Sequence, residues 1–125
     1  MSKRKAEMLK DDFIKCETKR LQKIFENLPQ DAAVFAEKLI ENAAFMAVSL
    51  ADLQKIINKK GYTEEYKNGE NQSGTKRTPE VDIYNTMVKN FNTTMKQLID
   101  MLPDSPAGCN SRNAALDYIN GRSGP

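Results

Sequence analysis

The sequence of 125 residues contains no histidine and no tryptophan. The side chain that most often serves as a general base, and that is a common zinc ligand, is therefore missing. No glycine-rich phosphate-binding motif occurs, and no serine or cysteine has a histidine to activate it as a nucleophile. Catalysis would depend on paired carboxylates such as Glu64 and Glu65, and such exposed glutamates are usually solvated. We expect no enzymatic activity, no metal site and no cofactor.

The sequence also lacks any long hydrophobic run. No stretch approaches the ~18 apolar residues that a membrane-spanning helix needs, and the start, MSKRKAEMLK, lacks the apolar stretch of a secretion signal. The two cysteines, Cys16 and Cys109, have no metal-binding or redox spacing. These features predict a cytoplasmic protein with two unlinked thiols and no membrane association.

Hydrophobic residues are few, at 39%, while charged residues make up 29% of the sequence. The hydrophobic fraction is below the usual value for a globular domain, whereas the charged fraction is slightly above it. A chain of this length favours one domain with a modest core. The composition is typical of helices that complete their core by oligomerising.

Positive charge is concentrated near the N-terminus. Residues 1–30 contain eight lysines and arginines and five acidic residues, which gives a net charge of +3, whereas the rest of the chain is close to neutral. A basic arm attracts nucleic-acid phosphates because binding releases counterions, but a solvated helix face has a similar composition. Lys76 and Arg77 form a second candidate pair, for which a solvated loop charge is the stronger alternative. The candidate DNA-binding residues of the arm are Lys3, Arg4, Lys5, Lys10, Lys19, Arg20 and Lys23.

Three segments have the hydrophobic spacing of helices. The first covers residues 3–28 and stops before Pro29. The second follows Asp31, which can cap it, and stops at Gly61, where a left-handed conformation is favoured. The third begins with Thr78 as its cap and Pro79 in the first turn. The apolar residues of the second helix are Phe35, Leu39, Ala43, Met46, Leu50, Leu53 and Ile57, and those of the third are Val81, Tyr84, Val88, Phe91, Met95, Leu98 and Leu102.

A polar segment, residues 62–78, separates the two long helices. Asn68 and Gly69 favour a tight turn, which predicts a β-hairpin with strands at residues 65–67 and 71–73. After the third helix, which Pro103 stops, residues 104–125 are rich in turn-forming residues. We expect a flexible tail there, with one or two helical turns around the apolar residues 114–119.

These elements predict an all-α fold. Residues 31–103 form a long antiparallel helical hairpin with a long polar loop between its helices, and residues 1–28 add an N-terminal helix. We expect the hairpin to bury Leu39, Met46, Leu50, Tyr84, Val88, Phe91 and Leu98. The apolar stripe of the third helix is wider than one neighbour can cover, which favours an oligomerisation core built on residues 31–103. The candidate residues for this oligomer interface are Met87, Met95, Ile99 and Met101.

Two features of the sequence resemble the small subunit of bacteriophage terminases. The first is YKNGENQSGTKRTP at residues 66–79, followed by YNTMVKNF at residues 84–91. The second is the order of elements: a long helix, a glycine-bearing turn, a polar loop ending near a proline, and a helix that closes in LIDMLP. The resemblance covers residues 34–103. The chain departs from the family after that, because residues 104–125 contain only Arg112 and Arg122 where family members have an arginine-bearing continuation.

This resemblance implies a component of a phage DNA-packaging motor that acts in the cytoplasm of a bacterial host. Small terminase subunits bind viral double-stranded DNA as oligomeric rings and present it to the large subunit, which carries the ATPase and the nuclease. The implied partners are viral DNA, the large terminase subunit and further copies of this chain. The residues themselves leave an alternative open: a non-catalytic coiled-coil adaptor or scaffold that has only protein partners and an incidental basic arm.

Overall fold

A computed structural model describes residues 2–67, 69 and 73–121, and the side chains of residues 2–8, 66, 67 and 73 lie outside the described part. The two long central helices pack against each other, which confirms the predicted all-α fold and its helical hairpin. Among the described helices, none has both the length and the apolar character needed to cross a membrane. The elements in chain order are α1 (Ser2–Ile24), α2 (Gln30–Lys60), β1 (Thr63–Lys67), β2 (Ser73–Arg77), α3 (Pro79–Asp100) and α4 (Pro106–Ile119).

The contact between α2 and α3 forms a large part of the core. Leu50 and Leu53 of α2 are buried, as are Phe91 and Leu98 of α3. Their spacing places them on one face of each helix, as the sequence predicts. The other predicted core residues of the hairpin are only half-buried and pack against the edge of the core: Leu39, Met46, Tyr84 and Val88.

The start of α2 differs from the prediction. The helix begins at Gln30 after Pro29, so Asp31 lies in the first turn and is not the cap. The apolar spacing predicts Phe35 in the buried stripe, but Phe35 is 74% exposed. The buried residue of this turn is Ala36, which lies about 100° around the helix from Phe35. The first turns of α2 therefore present a large apolar side chain to solvent.

Helix α1 completes the core. Leu21, Phe25 and Leu28, at the end of α1 and in the turn that follows, are buried in the same cluster as the residues of α2 and α3. Nearer the N-terminus, the Lys10 ammonium lies 3.7 Å from the Asp52 carboxylate in the second half of α2. Since a short turn joins the end of α1 to the start of α2, the two helices run antiparallel.

Thr78 connects the two ends of the segment between α2 and α3. Its side chain is fully buried, its hydroxyl donates to the Gly61 carbonyl at 2.8 Å, and its backbone N–H donates to the Tyr62 carbonyl at 2.9 Å. Thr78 occupies the predicted N-cap position of α3 and Pro79 follows in the first turn, but the threonine makes no side-chain capping bond. Its hydroxyl instead donates to the carbonyl of Gly61, at the end of the preceding helix.

An ion pair joins α2 and α3 at the same end of the molecule. The Lys60 ammonium donates to the Glu80 carboxylate at 2.8 Å. This hydrogen bond raises the pKa of Lys60 and lowers the pKa of Glu80. The end of α2 and the start of α3 are thus also linked outside the core.

Strands β1 and β2 form the predicted hairpin with a different register. They pair antiparallel, with Thr63 opposite Arg77 and Lys67 opposite Ser73. The second strand covers residues 73–77, whereas the prediction placed it at residues 71–73. Gly69 has a positive φ of 91°, as a turn glycine can. Asn68 and residues 70–72 lie outside the described residues.

Residues 106–119 form a helix of 14 residues, which corrects the expected flexible tail with one or two helical turns. The Ser105 hydroxyl caps α4 by accepting from the Gly108 N–H at 3.0 Å. Ala115 is fully buried in the core cluster. The Asn27 amide donates to the Ala107 carbonyl at 3.3 Å and to the Ser111 hydroxyl at 2.9 Å. Helix α4 is thus fixed by tertiary contacts. Residues 122–125 lie outside the described part.

Candidate nucleic-acid and subunit interfaces

Among the side chains that the structure describes, the predicted DNA-binding cations do not form one surface. Lys3, Arg4 and Lys5 belong to the first turns of α1, where the side chains lie outside the described part. Lys10 pairs with Asp52, and its ammonium also lies 5.4 Å from the centre of the Phe45 ring. Lys10 is therefore engaged by α2, and its charge is partly neutralised there.

Arg20 also contacts other residues of the same chain. Its guanidinium lies 3.6 Å from the Glu17 carboxylate and 5.3 Å from the centre of the Tyr118 ring. Tyr118 donates its hydroxyl proton to Glu17 at 2.6 Å. Burial raises the pKa of Tyr118 above its usual value, and the bond to Glu17 acts in the same direction. The tyrosine therefore remains a protonated donor that joins α4 to α1.

The two cations at the exit of the hairpin are paired as well. Lys76 lies 3.6 Å from Glu64 across the strands, and Arg77 lies 2.9 Å from Asp82 in the first turn of α3. Exposed ion pairs of this kind contribute ~0–1 kcal/mol to stability. These contacts favour the alternative interpretation of Lys76 and Arg77 as loop charges rather than DNA ligands.

Lys19 and Lys23 are exposed and form no ion pair with any described residue. Lys15, which the candidate set omits, is also exposed and without an ion pair in the described part. The three lysines are four residues apart, so they form a row with ~6 Å between neighbours along the helix axis. The row lies on the side of α1 away from buried Leu21. We call Lys15, Lys19 and Lys23 the basic ridge.

The sequence contains a signal that could have identified the basic ridge. Lysines at positions i, i+4 and i+8 fall on one side of a helix, whereas a count of charge over residues 1–30 does not distinguish sides. Like charges one turn apart weaken a helix by a few tenths of a kcal/mol each. The ridge therefore does not contribute to the stability of α1.

The predicted oligomer interface is wrong for Met95, whose side chain has no solvent exposure. It faces the core because it continues the apolar spacing of Phe91 and Leu98. Met87, Ile99 and Met101 are half-buried. Ile99 and Met101 are two residues apart and so point about 200° apart around α3. Ile99 therefore lies on a different side of α3 from Met101. Met87 lines an open cavity of about 430 Å³ with Met46 and Ile83.

A larger depression lies on another side of the molecule. It has a volume of about 630 Å³ and lies between α1, the second half of α2, α3 and the end of α4. Ala47 and Ala51 contribute small side chains, and Phe13, Phe91 and Tyr118 contribute rings. We call these five residues the aromatic groove. Small and aromatic side chains together favour an apolar occupant with a ring.

Comparisons of the chain with models of protein families, with curated proteins and with solved structures give no match. The resemblance to terminase small subunits therefore depends on the residues and on the order of elements described above. Among the described residues, no group of three or more cysteine, aspartate or glutamate side chains is placed to hold a metal ion. Cys16 and Cys109 are exposed and unlinked, as the sequence predicts.

Proposed function

We propose that this chain is the small, non-catalytic subunit of a bacteriophage terminase. In this role it binds viral double-stranded DNA as an oligomeric ring, and it recruits or regulates the large subunit that carries the ATPase and the nuclease. The observation that carries the proposal is the basic ridge: three exposed lysines in a row, none of which forms an ion pair with a described residue.

The chemistry of the ridge fits the DNA backbone. Each lysine is a flexible point charge that can approach a phosphate without a fixed geometry. Contacts of this type release counterions and fix the position of a protein on the duplex, but they carry no sequence information. In a ring, the weak contacts of several subunits act together because each bound subunit raises the effective concentration of the next.

The resemblance supplies the second support. The segment with the most distinctive letters, residues 66–79, lies in the hairpin that joins α2 to α3, and residues 84–91 lie in the first half of α3. The LIDMLP closure contains Leu98 and Leu102, which are buried in the core. The similar residues thus belong to one continuous part of the fold.

An adaptor or scaffold with only protein partners is the second candidate function. The observation that favours it is the state of Lys10, Arg20, Lys76 and Arg77, each of which lies beside an acidic side chain of the same chain. In that function the basic ridge is a solvated helix face, and the chain has no measurable affinity for duplex DNA even at low salt.

Titration of duplex DNA over a series of salt concentrations separates the two functions. The test variant combines Lys15→Gln, Lys19→Gln and Lys23→Gln. The logarithm of the affinity falls with the logarithm of salt concentration by about 0.9 for each phosphate contact. We expect this slope to be shallower in the triple variant by up to about 2.7 for each subunit that contacts the DNA. Binding at low salt should also be weaker.

The matched control removes the same charge elsewhere, by Lys59→Gln, Lys89→Gln and Lys96→Gln. These lysines are exposed and form no ion pair with described residues. If both triple variants flatten the slope equally, net charge and not the basic ridge determines the affinity. If the unchanged protein does not bind duplex DNA at low salt, the terminase proposal is wrong and the adaptor function takes its place.

A further inference from the structure

The first turns of α2 carry two large apolar side chains on the surface. Val34 is 70% exposed and Phe35 is 74% exposed. A phenylalanine that transfers from water to an apolar pocket buries roughly 150–250 Å² and is a typical anchor of a protein interface. We call Val34 and Phe35 the apolar knob.

The aromatic groove is a site of the kind that such an anchor requires. Phe13 in its wall is 60% exposed, so one ring of the groove has no cover from the rest of the chain. Ala51 is also exposed, and Phe91 is buried below the opening. A ring inserted here gains tilted or offset contacts with aromatic neighbours, which contribute beyond the area they bury.

The knob and the groove cannot meet within one chain. Phe35 lies sixteen residues before Ala51 on the same continuous helix. This separation corresponds to about 24 Å along the axis and about 160° around it. Phe35 and Ala51 are therefore on nearly opposite sides of α2 and far apart along it, and the knob of one copy can reach only the groove of another copy.

Charge is arranged to support this contact. Asp31 lies one helical turn before Phe35, and it forms no ion pair with any described residue. Lys55 lines the groove and is likewise without an ion pair in the described part of the chain. The acidic residues of the groove, by contrast, already form ion pairs within the chain: Glu17 pairs with Arg20, and Asp52 pairs with Lys10. The available charges on the two features are thus of opposite sign.

We propose that copies of this chain associate head to tail, with Phe35 of one copy inserted in the aromatic groove of the next and Asp31 beside Lys55. This inference rests on the proposed function, in which the chain is a homo-oligomer, and it specifies the surfaces that the oligomer uses. Because the two surfaces differ, the contact is heterologous, and repetition of it closes the ring of the proposed function when the rotation between copies divides a full turn; any other rotation builds an open filament.

Two variants remove one side of the contact each. Phe35→Glu removes the knob, and Ala51→Trp fills the groove. Both positions are exposed, so we expect the far-ultraviolet circular dichroism of the unchanged protein. Sedimentation should show subunit dissociation constants raised roughly tenfold or more for each variant. Ile83→Glu, on the exposed side of α3 beside Met87, is the control and should leave the assembly unchanged.

A mixture of the two variants gives the sharpest test. The Phe35→Glu chain keeps its groove and the Ala51→Trp chain keeps its knob, so each pair has one intact contact. Equimolar mixing should yield heterodimers and no larger species, although each variant alone is monomeric. A two-fold dimer in which each knob enters the groove of the other chain would also give heterodimers on mixing, but the unchanged protein would then stop at the dimer instead of forming a larger ring.

A charge reversal tests the polar part without altering the apolar part. Lys55→Glu should weaken assembly, and the double variant Asp31→Lys with Lys55→Glu should restore it, because every contact then pairs the reversed charges. The inference is overturned if both Phe35→Glu and Ala51→Trp still assemble like the unchanged protein, or if only Ile83→Glu fails to assemble. Either result leaves the proposed function in place. A wild-type chain that is monomeric and does not bind DNA overturns both.

Discussion

Met95 lies in the hydrophobic core, to which all four helices contribute. Its side chain has no solvent exposure, and it belongs to the same buried cluster as Leu21, Phe25 and Leu98. A flexible thioether fills an irregular space of this kind well. The residue is thus part of the core within one chain and is not available at a subunit surface.

Substitution of Met95 by alanine should leave a cavity. We expect the free energy of unfolding to fall by about 2–5 kcal/mol, the usual range for a large buried side chain that is cut back to alanine. Urea denaturation followed by circular dichroism measures this loss. Met87→Ala, at a half-buried position on the same helix, is the matched control and should cost less. Equal and small losses in the two variants would show that Met95 is not a core residue.

At the residue scale, the sequence indicates which side chains are charged but not which charges are neutralised. Arg20 belongs to a basic segment, and its aromatic neighbour Tyr118 lies almost at the other end of the chain. Asp52, the partner of Lys10, lies in a different helix and is distant from it in sequence. No local spacing contains these pairs, so the candidate DNA-binding set could only be refined by the tertiary structure.

Among the elements, α3 could be predicted almost completely. Pro79 and Pro103 bracket it, and its apolar residues recur at alternating spacings of three and four. Helix α4 could not be predicted in the same way, because its apolar residues are few and its stability depends on Asn27 in the distant turn between α1 and α2. Ser105 and Pro106 are a local signal for the start of a helix. The nearby glycine and asparagine residues, which favour turns, pointed the prediction away from a helix.

Gly108 allows the first turn of α4 to approach the end of α3. A Cβ atom at this position would lie 1.9 Å from the Pro103 carbonyl oxygen, which is backbone and cannot move aside. Alanine normally stabilises a helix by up to about 1 kcal/mol relative to glycine. Here we expect the opposite: Gly108→Ala should lower the melting temperature and speed hydrogen exchange in α4.

Asn113→Ala is the control for this prediction, since Asn113 is exposed in the same helix. The change should be neutral or slightly stabilising, because alanine has the higher helix propensity. If Gly108→Ala is as stable as Asn113→Ala, the close approach of α4 to Pro103 is not present in solution.

For the whole molecule, the distribution of apolar surface makes stability depend on concentration. Several large apolar side chains are exposed on more than one helix, including Leu9, Phe13 and Phe45. An assembly that covers part of this surface binds only the folded chain, so association adds to the free energy of unfolding by mass action. We expect the melting temperature to rise as protein concentration is raised over a hundredfold range.

The variant Phe35→Glu supplies the comparison. Its melting temperature should equal that of the unchanged protein at the lowest concentration and should change little as concentration rises. A wild-type melting temperature that does not depend on concentration would show that the folded chain is complete as a monomer. A variant that remains as concentration-dependent as the wild type would show that other surfaces drive association.

Thr78 makes the fold respond differently to insertions in the hairpin segment and to insertions in the helices. Its bonds to Gly61 and Tyr62 bring the ends of the hairpin segment together beside the helices. Each doubling in the length of a closed flexible loop costs only about 0.6 kcal/mol. Insertions and deletions near Gly69 therefore leave the spacing of α2 and α3 unaltered, whereas a shift of one residue inside either helix rotates its apolar face by about 100°. We therefore expect insertions and deletions between Gly61 and Thr78 to be tolerated far better than those inside α2 or α3.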